Sequence, residues 1–277
     1  MTLRKDSVAV ITGAGSGIGR ALAKRLAAEG IVGLAIADVN REGLEETAMM
    51  FGDANVSLHV VDVADRAAMA SFVDAVISEH GRVTHVINNA GVALGGTLKE
   101  VSLDEIEWLM GVNFWGVVHG TKLFLPYLVK EPEAHIVNIS SLFGLVAPPG
   151  QTAYCASKFA VRGFTEALRH ELEDTNIAVS VVHPGGVKTN IANSARIAES
   201  SEITADELEQ RLARMNRNLS TTTPDRAAEI IIKGIKKRSP RIIVGPDAQL
   251  LSWIQRLFPK RYLAIANAIS GGKLKET

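Results

Sequence analysis

Short apolar runs alternate with longer amphipathic stretches along the chain. The runs Val8–Thr12, Leu34–Ala37, Ser57–Val61, Val83–Asn88, His135–Ser140, Ala178–His183 and Arg241–Val244 are rich in Val and Ile and apolar on both faces. That is the pattern of strands in a parallel sheet covered from both sides. Between them, helical periodicity begins near Gly17, Arg41, Arg66, Ser102, Thr152 and Pro224. Two of these starts carry local signals. Ser102 followed by Glu105 spells a capping box, and Thr223 places a cap before a proline at the first helical position.

Strand–helix alternation with right-handed crossovers predicts an α/β fold: a doubly wound, parallel, seven-stranded sheet of the Rossmann type, in a single domain spanning residues 1–245. Two stretches break the rhythm. Residues 190–222 are polar and mostly helix-compatible, an insertion between the sixth strand and the last crossover helix. Residues 246–277 follow the last strand with no sheet partner left to reach, and read as a C-terminal helical extension.

The chain has 277 residues and is 47% hydrophobic, enough for one large core. Thirty basic residues cancel thirty acidic ones, which argues against disorder by charge and against a dedicated nucleic-acid binder. The balance is uneven. Residues 1–232 carry 20 Lys and Arg against 28 Asp and Glu, and residues 233–277 carry 10 against 2, so a body of −8 ends in a segment of +8. A single cysteine, Cys155, fits a reducing compartment. No histidine stands at ligand spacing, so no metal is expected. Neither a signal peptide nor a bilayer-length apolar run is visible, and a cytoplasmic protein is the expectation.

The first predicted strand runs into Thr12-Gly13-Ala14-Gly15-Ser16-Gly17-Ile18-Gly19 and then a helix. Glycines there let backbone amides approach a pyrophosphate, and the helix N-terminus adds a favourable field. Asp38 ends the second strand about 20 residues on, where a carboxylate accepts hydrogen bonds from the adenosine ribose hydroxyls. A 2′-phosphate would meet like charge, so Asp38 favours NAD over NADP. Arg41 lies near in sequence but is expected to face solvent.

Further along, Asn88-Asn89-Ala90-Gly91 follows the fourth strand, Ser141 follows the fifth, Tyr154-Cys155-Ala156-Ser157-Lys158 opens a helix, and Pro184–Thr189 follows the sixth strand. Asp62-Val63 and Asn113 complete the set. Together with the glycine turn, these motifs resemble the short-chain dehydrogenase/reductase family, in family order, over about residues 7–245. Tyr154 and Lys158 share a helix face at i and i+4. A free tyrosine is too weak a base at neutral pH, and a nearby ammonium would stabilise its phenolate. Tyr154 is thus the expected acid/base, helped by Lys158.

The resemblance implies further roles. Ser141, thirteen residues before Tyr154, would bind the substrate oxygen, with Ser140 pointing to the other side. Asn113 would hold a water in a proton relay toward Lys158. Gly13, Ser16, Gly17, Ile18 and Gly19 would hold the pyrophosphate, and Asp62 and Val63 would contact adenine. Asn89, Ala90 and Gly91 would brace the sheet and line the cofactor, while Val187 and Thr189 would grip the nicotinamide carboxamide. Pocket-lining positions by the same analogy are Leu94, Leu142, Phe143, Leu145, Val146 and Ile191, with Trp115 less central. With no arginine among them, the expected substrate is a neutral, fairly apolar alcohol or ketone.

Other chemistries of the family, such as epimerisation or dehydration, and an NAD-sensing regulatory protein are the alternative readings. His183 and Cys155 read as structural. The resemblance also implies a homodimer or homotetramer built on the helices containing Trp108–Leu128 and Thr152–Glu173. Residues 190–222 are expected to order as a lid. Residues 249–269 read as two short amphipathic helices broken at Pro259. Packing on the core is favoured for them over peripheral contact with a membrane.

Overall fold

The computed structural model describes residues 3–52, 55–189, 196–198 and 222–269. Seven parallel strands form one sheet: β1 (Val8–Thr12), β2 (Gly33–Asp38), β3 (Val56–Val60), β4 (His85–Asn88), β6 (Ala134–Ile139), β7 (Ile177–Pro184) and β9 (Arg241–Val244). Their order is β3-β2-β1-β4-β6-β7-β9. The chain winds outward from β1 in one direction, then crosses to β4 and winds in the other. The crevice outside the carboxyl ends of β1 and β4 is therefore the topological switch point, where ligands of such sheets bind.

Alternation along each central strand feeds two cores. Ala9 and Ile11 of β1, with Leu34 and Ile36 of β2, face a layer containing α1 (Gly17–Ala28) and α7 (Pro224–Lys236). Val8, Val10, Ala35 and Ala37 face the other layer, where Phe72 of α3 (Arg66–His80), Phe124 of α5 (Gly116–Leu128) and Leu168 of α6 (Thr152–Glu171) pack. Both faces are dry, which is why these strands read as continuous apolar runs. The edge strand β3 is the exception, with Leu58 and Val60 exposed.

Every helix start read from the sequence is present, including α2 (Arg41–Ala48) and the capping box at Ser102 before α4 (Leu103–Met110). One element differs. The long helix expected around Asn113 is interrupted between α4 and α5 by a five-residue π-type stretch, Gly111–Trp115. The fourth strand is also two residues shorter than Val83–Asn88, because the Thr84 side chain bonds to Val8 on β1. Of the 190–222 insertion, only residues 196–198 and Thr222 fall within the description, and the expected lid otherwise lies outside it. Arg196–Ile197 (β8) pairs in parallel with Leu94–Gly95 (β5), and the Arg196 guanidinium stacks 3.8 Å over the Trp108 ring. Beyond β9, α8 (Pro246–Leu257) and α9 (Tyr262–Ile269) form the extension.

Candidate active site

The glycine turn sits at the C-terminal edge of β1. Gly13 has φ of 67°, and a Cβ there would stand 2.7 Å from the Ala90 Cα; at Gly19 it would stand 2.1 Å from the Gly13 carbonyl oxygen. No other residue fits these two positions. Asn89 locks the turn from β4: its side-chain amide donates to the carbonyls of Thr12 and Gly13 at 2.9 and 3.0 Å. The Thr12 hydroxyl accepts from the backbone amides of both Asn89 and Ala90 at 3.1 Å. Helices α2, α3, α4 and α7 each begin with a side chain capping the first turn, from Asn40, Asp65, Ser102 and Thr223. At α1 the Ser16 side chain makes no such bond, so its first-turn amides are left for an external acceptor. That donor set suits the phosphates of a dinucleotide.

Asp38 faces this turn. Its Oδ2 accepts from the Gly15 amide at 2.9 Å and its Oδ1 from the Asn40 amide at 3.0 Å. Arg41 is exposed, as expected, and lies 3.7 Å from Glu45. Arg20, which sequence reasoning passed over, binds Glu46, Thr47 and the carbonyls of Gly15 and Gly43. A cleft of about 500 Å³ runs from Gly15–Gly17 to Lys188 and Thr189. Thr189 Cγ2 would meet a Cβ on Gly17 at 3.2 Å, so the loop after β7 reaches the glycine turn. Asp62 lies exposed beside the end of β2, and Val63 is buried with its carbonyl bonded to His119 at 3.0 Å.

Tyr154 and Lys158 project from one face of α6, with Nζ 5.8 Å from the tyrosine ring centroid. Lys158 is buried and donates to the Ile139 carbonyl at 3.3 Å. Burial pushes its ammonium down to about 8, so it stays largely cationic at neutral pH. Burial also pushes the Tyr154 phenol up, against the downward pull of a hydrogen bond with Ser141. The net shift is upward, opposite to the lowering expected from the Lys158 ammonium, because desolvation is the largest effect on the phenol.

Ser141 caps the short turn Leu142–Gly144, its Oγ accepting from the Phe143 amide at 3.1 Å. Ser140 points the other way, as expected, and donates to the Lys158 carbonyl at 2.8 Å, tying α6 to β6. His183 is structural in the sense anticipated, yet it touches the site: its Nδ1 donates to the Ser141 carbonyl at 2.8 Å. That bond fixes the proton on Nδ1, and burial holds the ring pKa down to about 4. Asn113 Oδ1 accepts from the Val92 amide at 2.8 Å, while its Nδ2 donates to the Val92 carbonyl and to Ser157 Oγ. Ser157 in turn donates to the Tyr154 carbonyl at 2.8 Å. A Cβ on Gly91 would stand 3.2 Å from Asn113 Oδ1 and 3.3 Å from Lys158 Nζ, so all three meet.

The Phe143 ring stands edge-on to Tyr154 at 6.0 Å between centroids, and Leu94 packs in the same cluster as Tyr154. Leu142, Leu145 and Val146 are buried against Ala248, Leu251 and Tyr262 of the C-terminal helices. The Tyr262 hydroxyl accepts from the Ala147 amide at 3.1 Å. Trp115 is half exposed and stacks near Phe114 and His119, so it is not part of this wall. Ile191 lies outside the described residues. Cys155 is buried, and burial pushes its thiol up to about 11.

Asp247, in the first turn of α8, carries no sequence signal, but it holds the loop after β7. Its Oδ2 accepts from the Gly186 amide at 2.7 Å, and a Cβ on Gly185 would stand 2.3 Å from the same oxygen. The loop is further bound by Gly185 to Val244 and by paired bonds between Gly186, Lys188 and Thr222.

The model of the short chain dehydrogenase family matches residues 7–200. The putative oxidoreductase SadH of Mycobacterium tuberculosis is 44% identical over 274 residues, covering 97% of this chain and 96% of that one. The 3-ketodihydrosphingosine reductase of Bacteroides thetaiotaomicron is 33% identical, covering 90% and 94%. A short-chain dehydrogenase/reductase from Burkholderia phymatum, solved in complex with NAD, superposes with a TM-score of 0.83 at 34% identity, covering 90% and 92%. Other solved neighbours hold NAD or NADP. On the strength of the matched family model and of the likeness in sequence and fold, this chain belongs to the short-chain dehydrogenase/reductase family.

Proposed function

We propose that this protein is an NAD-dependent oxidoreductase that interconverts a neutral, fairly apolar secondary alcohol and its ketone. The observation that carries the reading is the convergence of Ser141, Tyr154 and Lys158 beside the uncapped glycine turn. The bound nicotinamide supplies the hydride acceptor or donor. Tyr154 takes the hydroxyl proton in oxidation and returns it in ketone reduction. Desolvation raises the pKa of its phenol, so ionisation needs a nearby cation, and Lys158 on the same helix face is assigned to supply it. Ser141 Oγ accepts from Phe143 and bonds to the Tyr154 phenol, and its one proton is assigned to the substrate oxygen when substrate enters between them. Asn113 is assigned to hold a water on a proton route to Lys158; its amide, committed to Val92 and Ser157, fixes the widened turn beside that route.

For the cofactor, Gly13 and Ser16–Gly19 take the pyrophosphate, Asp62 and Val63 the adenine, and Val187 and Thr189 the carboxamide. Asn89–Gly91 brace and line the site. Asp38 is assigned to the ribose hydroxyls. Arg20 and Arg41, the cations nearest in sequence to the turn and to Asp38, both face carboxylates, which supports NAD over NADP. The NAD complex of the Burkholderia phymatum relative points the same way. Leu94 and Phe143 beside Tyr154 support an apolar substrate. One relative is a ketone reductase by name. Exposed Trp115 and Phe159 support homodimer or homotetramer contacts through the helices on either side of the site. Among the described residues no helix is long and apolar enough to cross a membrane, and we place the protein in the cytoplasm.

The test is a panel of secondary alcohols and ketones followed by cofactor absorbance with NAD and NADP side by side. Turnover of neutral apolar members with NAD is expected; preference for anionic substrates, or for NADP, overturns the respective half. Asp38→Ala should weaken NAD about tenfold while NADP holds or improves, since one or two charge-accepting hydrogen bonds are lost. Equal weakening of both would refute the role of Asp38.

A further inference from the structure

The C-terminal helix pair packs by one face and leaves an adjoining face uncovered. On α8, Ala248 and Ile254 are buried and Leu251 packs against the wall after Ser141. Leu250, Trp253 and Leu257, spaced three and four apart, share the neighbouring face. They are 48%, 62% and 65% exposed, and Phe258 continues the stripe at 52%. Arg256 lies on the far side of this stripe from the core, and Lys260 and Arg261 stand exposed in the turn before α9. From Ala248 to Ile269 there are three cations and no carboxylate.

We infer that this face docks on the surface of an anionic lipid bilayer. Charge decides between the available occupants. A second copy meeting this face through a two-fold axis would set one patch of three cations against another, with no acid between Ala248 and Ile269 to pair them. An anionic headgroup layer accepts both features at once: the indole and leucines enter at headgroup depth while the cations meet phosphates. The extension itself carries the matching sign, with Arg256, Lys260, Arg261, Lys273 and Lys275 against Asp247 and Glu276 in residues 246–277. The contact is peripheral, since no described helix can span.

Flotation of the full-length protein with vesicles tests this, whatever its substrate. The protein should float with phosphatidylglycerol-rich vesicles and not with pure phosphatidylcholine, and high salt should release it. Each basic residue near an anionic surface contributes roughly a factor of five, so Arg256→Gln/Lys260→Gln/Arg261→Gln should lower partition on the order of a hundredfold. Trp253→Ser/Leu257→Ser should lower it about tenfold or more. Vesicles should shift the tryptophan emission to the blue, and the shift should vanish in Trp253→Phe. Melting curves of all variants, matched to wild type, show that the fold is kept. No flotation on anionic vesicles, or flotation indifferent to both variants, overturns the proposal. If flotation fails and the double variant sediments at lower mass than wild type, the face belongs to a second copy.

Discussion

Tyr154 shows how much one residue depends on its neighbours. Its side chain is half-buried, desolvation raises its pKa, and its ring centroid lies 6.0 Å from that of Phe143 and 5.8 Å from the Lys158 ammonium. Removing only the hydroxyl keeps the packing, so Tyr154→Phe should lower kcat by about two to four orders of magnitude while cofactor affinity changes less than about twofold. Steady-state rates and fluorescence titration of the cofactor check both halves; retained turnover would refute the assigned acid/base. The residues assigned to the chemistry were legible because their types and spacings are unusual along the chain. Those that hold them were not. Ser140, Ser157 and His183 are ordinary in sequence, and what gives each a task is a partner such as the Lys158 carbonyl, Asn113 or the Ser141 carbonyl, brought close only by folding.

At the scale of elements, the π-type stretch Gly111–Trp115 and the start of α8 were both invisible in the pattern. A one-residue widening leaves apolar periodicity almost unchanged, yet it sits where Asn113 meets Gly91 and Lys158. Asp247 looks like an ordinary first-turn acid, but its carboxylate holds the Gly186 amide of the loop after β7. Asp247→Ala strands that amide and should weaken cofactor binding about tenfold, the scale of one buried unsatisfied donor. Asp247→Asn keeps the acceptor and should restore affinity to within about twofold; a variant pair that binds cofactor alike would remove the role.

The central strands carry a second consequence. Burial holds His85 of β4 at about 4, His135 of β6 at about 3 and His183 of β7 at about 4. In the unfolded chain these groups titrate near 6.5, so between that value and their folded values the unfolded state binds more protons. Stability is therefore full above about pH 6.5 and falls as pH drops toward 4, by on the order of 3 kcal/mol for His85 alone. Melting temperatures over this range should decline steeply, and His135→Gln, which can still reach Ser180, should flatten the decline. An unchanged slope would shift the cause to other groups.

At the scale of the whole molecule, the extension is part of the site's scaffold. Cutting after Gly245 removes Asp247 and uncovers Leu142, Leu145 and Val146, each of which gains roughly 1.5–3 kcal/mol when fully buried. The truncated chain should unfold at lower urea, by several kcal/mol, with weaker cofactor binding; an unchanged midpoint would mean the helices are mere appendages. The sequence by itself determined the strands, their order of appearance and the glycine turn, and supplied Asp38, Ser141, Tyr154 and Lys158 as candidates. Those are local or periodic features, and burial on both faces writes them into a plain run of residues. Only the tertiary structure decided which face of the C-terminal helices is covered, that desolvation raises the Tyr154 phenol against its bond to Ser141, and which distant residues hold Ser141 and the loop after β7. These depend on contacts between residues far apart in the chain, and no periodicity encodes a partner.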